Sequence, residues 1–228
     1  MTRYAIYFLP NPATRLWTFG CSVLGYDAVT QHCVPFPNHP IFREEGALEI
    51  SSEPRRYGFH ATLKAPFALS YGQTEEDLAT ALSRFASSRP RFTLPKLHID
   101  RLGSFLALVP ARPIADLDDL ASACVMAFEP FRAPVSDDDR SRRLKSPLTP
   151  RQIELLDRWG YPYVLDEFRF HMTLTGPLDK PRAEVTAAVL REIYAEIDEP
   201  VDVDAITLLR QSGRSEPFVV VQRYPLAA

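Results

Sequence analysis

Tyr57–Phe67 reads YGFHATLKAPF and Phe168–Leu178 reads FRFHMTLTGPL. Each contains Phe-His-x-Thr-Leu-x-(small)-Pro-(apolar), and the two histidines, His60 and His171, stand 111 residues apart (171 − 60). That spacing is too long for a solenoid repeat and points to an internal duplication. Successive side chains alternate faces along a strand. Phe59, Ala61 and Leu63 therefore share one face, with His60, Thr62 and Lys64 on the other. In the second phrase Phe170, Met172 and Leu174 oppose His171, Thr173 and Thr175. Both copies preserve an apolar face for a core and a polar face bearing an imidazole and a hydroxyl.

Working outward, RYAIYFLP (3–10) reads as a buried strand and residues 13–24 as a helix. Residues 26–52 are broken by prolines and histidines and read mostly as loop. Thr74-x-x-Asp77 is a variant capping box opening a helix with Leu78, Leu82 and Phe85 on one face. A hairpin turns around Arg101–Ser104. In the second half, residues 116–128 read as a helix and 137–145 as a charged, mobile connection. Thr149-Pro150-Arg151-Gln152 is a capping box with proline at the first helical position, and Gly160 stops that helix. Residues 161–174 read as a strand, 181–198 as a helix, and 201–225 as two strands about Gly213.

Each half thus runs His-x-Thr strand, helix, hairpin. The order predicts one bilobal α+β domain over 1–228, with a first repeat at 1–110 and a second at 111–228. Two pseudo-symmetric lobes of antiparallel sheet, backed by helices, would face one another across a central cleft.

With 46% hydrophobic and 24% charged residues, the 228-residue chain has a globular balance, not a disordered one. The formal charge of −3 gives no bulk attraction for long nucleic acid, which leaves room only for a local basic cleft. MTRYAIYFLPNPATRLW lacks a basic, then apolar, leader pattern, and no apolar run reaches membrane-spanning length. The three cysteines, Cys21, Cys33 and Cys124, fit neither a disulfide framework nor a zinc site. A cytoplasmic protein without membrane contact, metal or other cofactor is the expectation.

Two histidines on facing strands can divide one task. Displacement at a phosphodiester needs a base to activate water or a hydroxyl and an acid to protonate the leaving oxygen. Imidazole serves for both, since its unperturbed pKa lies near 6.5. The hydroxyls of Thr62 and Thr173 can donate to the non-bridging oxygens as charge builds. The plainer alternative is that duplication copied a packing motif.

At His60-Ala61-Thr62-Leu63 and His171-Met172-Thr173-Leu174 the chain resembles the 2H phosphoesterase superfamily, named for two such motifs. The superfamily includes RNA 2′-5′ ligase-like proteins and cyclic nucleotide phosphodiesterases. The resemblance implies two lobes with the motifs in a central cleft and His60, Thr62, His171 and Thr173 as catalytic residues. YAIYFLP, LGYDA, YGFHATLKAPF, RWGYPYV and EFRFHMTLTGPL further resemble an uncharacterised subfamily associated with phosphonate-degradation genes. There a ribose 1,2-cyclic phosphate would be a fitting substrate.

Further candidates for holding substrate flank these motifs. Lys64 meets a phosphate or sugar, or ends its strand in solvent. Tyr57 and Tyr163 stack on a base or sugar, or belong to the core. Arg143 and Lys145, in RSRRLKS, lap over the cleft or stay solvated. Arg210 and Ser212 lie in a late strand resembling one that lines the superfamily's cleft. The partner implied is a small phosphorylated or cyclic-phosphate compound. RNA ends, processed by a cyclic phosphodiesterase or 2′-5′ ligase, are one alternative, and a non-catalytic phosphate- or nucleotide-binding module is another.

Overall fold

The computed structural model describes residues 1–43, 45–197 and 199–228. The first half runs β1 (Arg3–Phe8), α1 (Arg15–Leu24), a short hairpin β2 (Tyr26–Asp27) and β3 (His32–Cys33), and α2 (Glu45–Ser51). It continues with β4 (Ala61–Phe67), α3 (Glu75–Ser87), β5 (Phe92–Leu94), β6 (His98–Leu102) and β7 (Phe105–Val109). The second half runs α4 (Ala115–Ala127), α5 (Asp137–Arg143), α6 (Pro150–Trp159), β8 (Met172–Thr173) and α7 (Lys180–Ala195). It closes with β9 (Val201–Val203), β10 (Ala205–Gln211) and β11 (Val219–Pro225).

Seven strands form one sheet in the order β11-β10-β1-β4-β8-β7-β6, every neighbouring pair antiparallel. The fold is α+β, and its two sheet halves join where β4 meets β8. The hairpin β6–β7, which follows the first His phrase, pairs with the strand of the second phrase. The hairpin β10–β11, which follows the second phrase, lies against β1, the neighbour of the first. Each half lends its hairpin to the other. Helices pack behind the strands: α4 on β4, α3 on β10 and β11, α7 on β6 and β7. Behind β4 the contact with α1 is close enough that a Cβ on Gly20 would sit 2.2 Å from the Phe59 ring.

Local sequence accounts for most helix ends. Thr74 and Asp77 form the reciprocal cap of α3, and Thr149 and Gln152 that of α6, with Pro150 opening α6. Gly25 (φ 67°) and Gly160 (φ 77°) end α1 and α6 in the left-handed region that glycine adopts without steric cost.

Three segments differ from expectation. Residues 26–52 are not mainly loop: they hold β2, β3, a 3-10 turn at Pro40–Phe42 and α2, with Glu44 outside the described residues. Residues 137–143 are not a mobile connection but α5. Ser136 caps it, and Asp138 and Asp139 pair with Arg142 one turn on. Residues 161–171 are not strand. A 3-10 turn at Leu165–Glu167 interrupts them, held to α6 by Arg151–Asp166 and Gln152–Glu167 hydrogen bonds. Helix α7 ends at Ala195, and Asp198, its expected last residue, lies outside the described residues. The C-terminal run holds three strands rather than two, because β9 leaves to pair with β5. Among the described residues no helix is long and apolar enough to cross a membrane.

Candidate active site

Where β4 and β8 meet, Ala61 pairs with Met172. In an antiparallel pair this register, carried one residue each way, sets His60 beside Thr173 and Thr62 beside His171. Ala61 and Met172 turn into the core, 1% and 0% exposed. The four polar side chains emerge together on the other face, each imidazole next to the hydroxyl of the other motif. All four line one cavity of about 250 Å³, together with Arg3, Tyr7, Tyr57, Ala65, Pro66, Arg143 and Tyr161.

The duplication extends to the backbone that aims each ring. His60 Nδ1 lies 2.8 Å from the Gly58 carbonyl oxygen, and His171 Nδ1 lies 2.8 Å from that of Arg169. A carbonyl only accepts, so in each ring Nδ1 carries the proton and donates two residues back. That assignment leaves Nε2 of each neutral imidazole as the atom available for proton transfer. His60 Nε2 accepts from Thr62 Oγ1 at 3.1 Å.

The environments of the two rings differ. Tyr7 stacks on His60, centroids 3.8 Å apart and planes 20° apart, with Tyr57 at 6.3 Å. His171 has Phe105 at 5.8 Å. Burial lowers the pKa of His60 to about 4, against the raising effect of the Gly58 carbonyl, and the nearby charge of His171 lowers it further. Burial also lowers His171, opposed by the Arg169 carbonyl. Burial thus favours the neutral form of both imidazoles in the ligand-free protein.

Two further cavities adjoin this one. A 600 Å³ cavity shares Thr62, Ala65, Tyr161 and His171 and is walled by Phe105, Tyr163, Phe168 and Arg101. A smaller one of about 220 Å³ opens beside Tyr57, His60 and Thr173. Tyr57, Tyr163 and Arg143 thus all reach the cavities at the histidines.

The structure places four other candidates elsewhere. Lys64 is 3% exposed and donates to Val125 O and Glu129 Oε2, both at 3.0 Å, behind the sheet. The cause is an irregular register: Tyr7 pairs with Thr62 but Ile6 with Lys64, so an extra residue reverses the alternation. Ala65 consequently takes the position on the cavity side. Arg210 pairs with Tyr4, one residue out of step with Arg3 and Tyr7, and its guanidinium goes to Glu75 at 2.9 Å. Ser212 and Lys145 are exposed and absent from the lining of these cavities.

Sequence reasoning missed Arg3, Tyr7, Phe105 and Tyr161. Arg3 and Tyr7 lie four apart on one strand face, a usable signal, but their nearness to His60 depends on β1–β4 pairing. Tyr161 precedes Tyr163 by two. Among the described residues no group of three or more His, Cys, Asp or Glu side chains could hold a metal ion.

The family described as "Protein of unknown function (DUF1045)" matches residues 62–219. A ribose 1,5-bisphosphate phosphokinase PhnN of Janthinobacterium sp. (strain Marseille) is 37% identical over 232 residues, covering 100% of this chain and 51% of that protein. The protein of the same name from Laribacter hongkongensis (strain HLHK9) is 36% identical, covering 78% of this chain and 41% of its own. The chain spans about half the length of the curated relatives it matches. Among solved structures, E. coli LigT complexed with 3′-AMP aligns with a TM-score of 0.50 at 14% identity, covering 100% of this chain and 99% of that one. The fold is that of E. coli LigT.

Proposed function

The chain belongs to the DUF1045 family, and we propose that it is a metal-independent phosphoesterase that opens a small cyclic phosphodiester with two histidines. The observation that carries this reading is the diagonal quartet: two imidazoles with Nδ1 tied back to a carbonyl and Nε2 left unprotonated, that of His60 accepting from Thr62, each ring beside the other motif's threonine.

The unequal rings suggest how the work divides. His60, which burial holds neutral down to about pH 4, is the base: its Nε2 takes a proton from water as the water oxygen bonds to phosphorus. His171 is the acid. The negative charge of a bound phosphate favours its imidazolium form, whose Nε2–H passes a proton to the leaving oxygen as the ester bond breaks. Thr62, its hydroxyl turned from His60 Nε2 to the phosphate, and Thr173 donate to the non-bridging oxygens, where charge gathers. One water is added and a phosphomonoester leaves. His60 then releases its proton to solvent, and His171 takes one up.

The names of three similar proteins support a small phosphorylated ligand. LigT is complexed with 3′-AMP, and the two relatives are named for a ribose bisphosphate. A pentose cyclic phosphate, in a phosphonate-degrading context, is therefore the first substrate to test. The aromatic 600 Å³ cavity favours a second reading, a nucleoside 2′,3′-cyclic phosphate at an RNA end, with its base against Tyr163 or Phe105.

The test is turnover of both compound types by the native protein and by His60→Ala and His171→Ala, each first checked for folding. Each variant is expected to lose roughly 100-fold or more. The double variant should lose far less than the product of the two, since the pair acts as a unit. The kcat/KM profile should be a bell with its maximum on the acid side of pH 6.5, because both rings are lowered in the free protein. Near-native turnover by both single variants would defeat the mechanism.

A further inference from the structure

Beyond the histidine cavity, on the side of Arg3, Pro66 and Arg143, lies another of about 410 Å³ that shares those three residues. Four arginines line it, Arg3, Arg132, Arg143 and Arg214, against a single carboxylate, Asp139. Two of the four are already paired with carboxylates. Arg132 pairs with Glu129 at 2.5 Å, and Arg214 pairs with Asp139.

The other two are the arginines that face both cavities. Arg3 donates from Nε to Gln211 Oε1 at 2.9 Å and lies over the Phe218 ring at 5.8 Å. Arg143 lies over the Tyr161 ring at 4.7 Å. An amide oxygen and two aromatic faces orient a guanidinium without supplying a negative charge. Among the described residues neither arginine makes an ion pair.

Both are held in place. Arg3 is fixed in β1, at the centre of the sheet. Arg143 ends α5, which is fastened to α6 by Arg140–Asp157 at 2.7 Å and to the β10–β11 connection by Asp139–Arg214. Planar, bidentate donors without a carboxylate suit a phosphate.

The charge count indicates what kind of phosphate. The diester under attack carries one negative charge, and the two threonine hydroxyls and His171 already attend to it. A phosphomonoester carries about 1.5 to 2 negative charges at pH 7, which matches two uncompensated guanidiniums.

From this we infer that the substrate carries a second anionic group, a phosphomonoester separate from the cyclic phosphate, and that Arg3 and Arg143 receive it at the mouth of the arginine-lined cavity. The inference rests on the phosphoesterase reading for the placing of the first phosphate. Arg3 and Arg143 are then specificity-determining residues, and a cyclic phosphate lacking the second group is the poorer ligand.

Calorimetry with a matched pair of product-like compounds tests this without turnover. Ribose 1-phosphate and ribose 1,5-bisphosphate differ only in the phosphate on O5. The bisphosphate should bind the native protein at least about 10-fold more tightly, equivalent to about 1.4 kcal/mol. That gain should shrink to less than about 3-fold in Arg143→Gln and in Arg3→Gln, and persist in His171→Ala. Equal affinities, no binding of either compound, or a gain that survives in both arginine variants would overturn the inference. If cyclic phosphates are turned over but the O5 phosphate brings no gain, the second-anion inference fails alone. If the gain is present and no cyclic phosphate is opened, the phosphoesterase reading fails alone.

Discussion

His60→Gln removes an imidazole that the fold keeps neutral, so its effect on stability depends on pH. The native ring titrates at about 4, against 6.5 for an unperturbed histidine. Between those values the unfolded chain binds the proton and the native protein does not, so protonation favours unfolding and stability falls as pH drops. The contribution is RT times the logarithm of the ratio of the two binding polynomials. Relative to high pH the native protein loses about 0.2 kcal/mol at pH 7 and about 2 kcal/mol at pH 5, and the loss levels off below pH 4. Glutamine has no such linkage. On moving from pH 7 to pH 5 the stability difference between variant and native protein should shift by about 2 kcal/mol in the variant's favour. Urea unfolding at several pH values, followed by the fluorescence of Trp17 and Trp159, measures the shift, and subtracting one protein from the other cancels the carboxylates. A titration of the imidazole resonances, with His60 assigned from the variant, supplies the pKa directly. Parallel stability curves, or a His60 resonance titrating near 6.5, would refute the idea of a buried neutral base.

Gly58→Ala should cost roughly 1–3 kcal/mol in unfolding free energy, because Gly58 has φ 71° and ψ 176° and a Cβ there would meet Ala28 Cβ at 2.9 Å. Turnover should fall as well, since the carbonyl that orients His60 would move; a native-like rate would count against that role. Glu129→Gln deprives Lys64 and Arg132 of a shared carboxylate. It should lower stability by about 1–3 kcal/mol while leaving KM unchanged, as denaturation and kinetics together would show. Activity should survive EDTA. Loss with the chelator and recovery on adding a divalent ion would rule out the metal-independent scheme.

Local chemistry made much of this legible in the chain. The alternation within FHATL and FHMTL put histidine and threonine opposite an apolar face, and the capping boxes at Thr74 and Thr149 fixed two helix starts. Repetition, not either phrase alone, marked the histidines as a pair. These signals need only neighbours in sequence, because strand alternation and helix capping act over two to four residues. Residues 161–171 misled because their aromatic, β-rich composition resembles a strand, whereas side-chain bonds to α6 hold them in turns.

What the tertiary structure alone decided is register and partnership. Whether Ala61 meets Met172, and so whether each histidine stands beside the other's threonine, depends on strands more than a hundred residues apart. The extra residue in β4 that sends Lys64 to Glu129 exists only relative to β1, since a bulge is a property of a pair of strands. Arg3 and Tyr7 reach His60 for the same reason, through the pairing of β1 with β4. The phrases therefore specified the reacting groups, whereas non-local hydrogen bonding determined which cations and aromatic rings surround them.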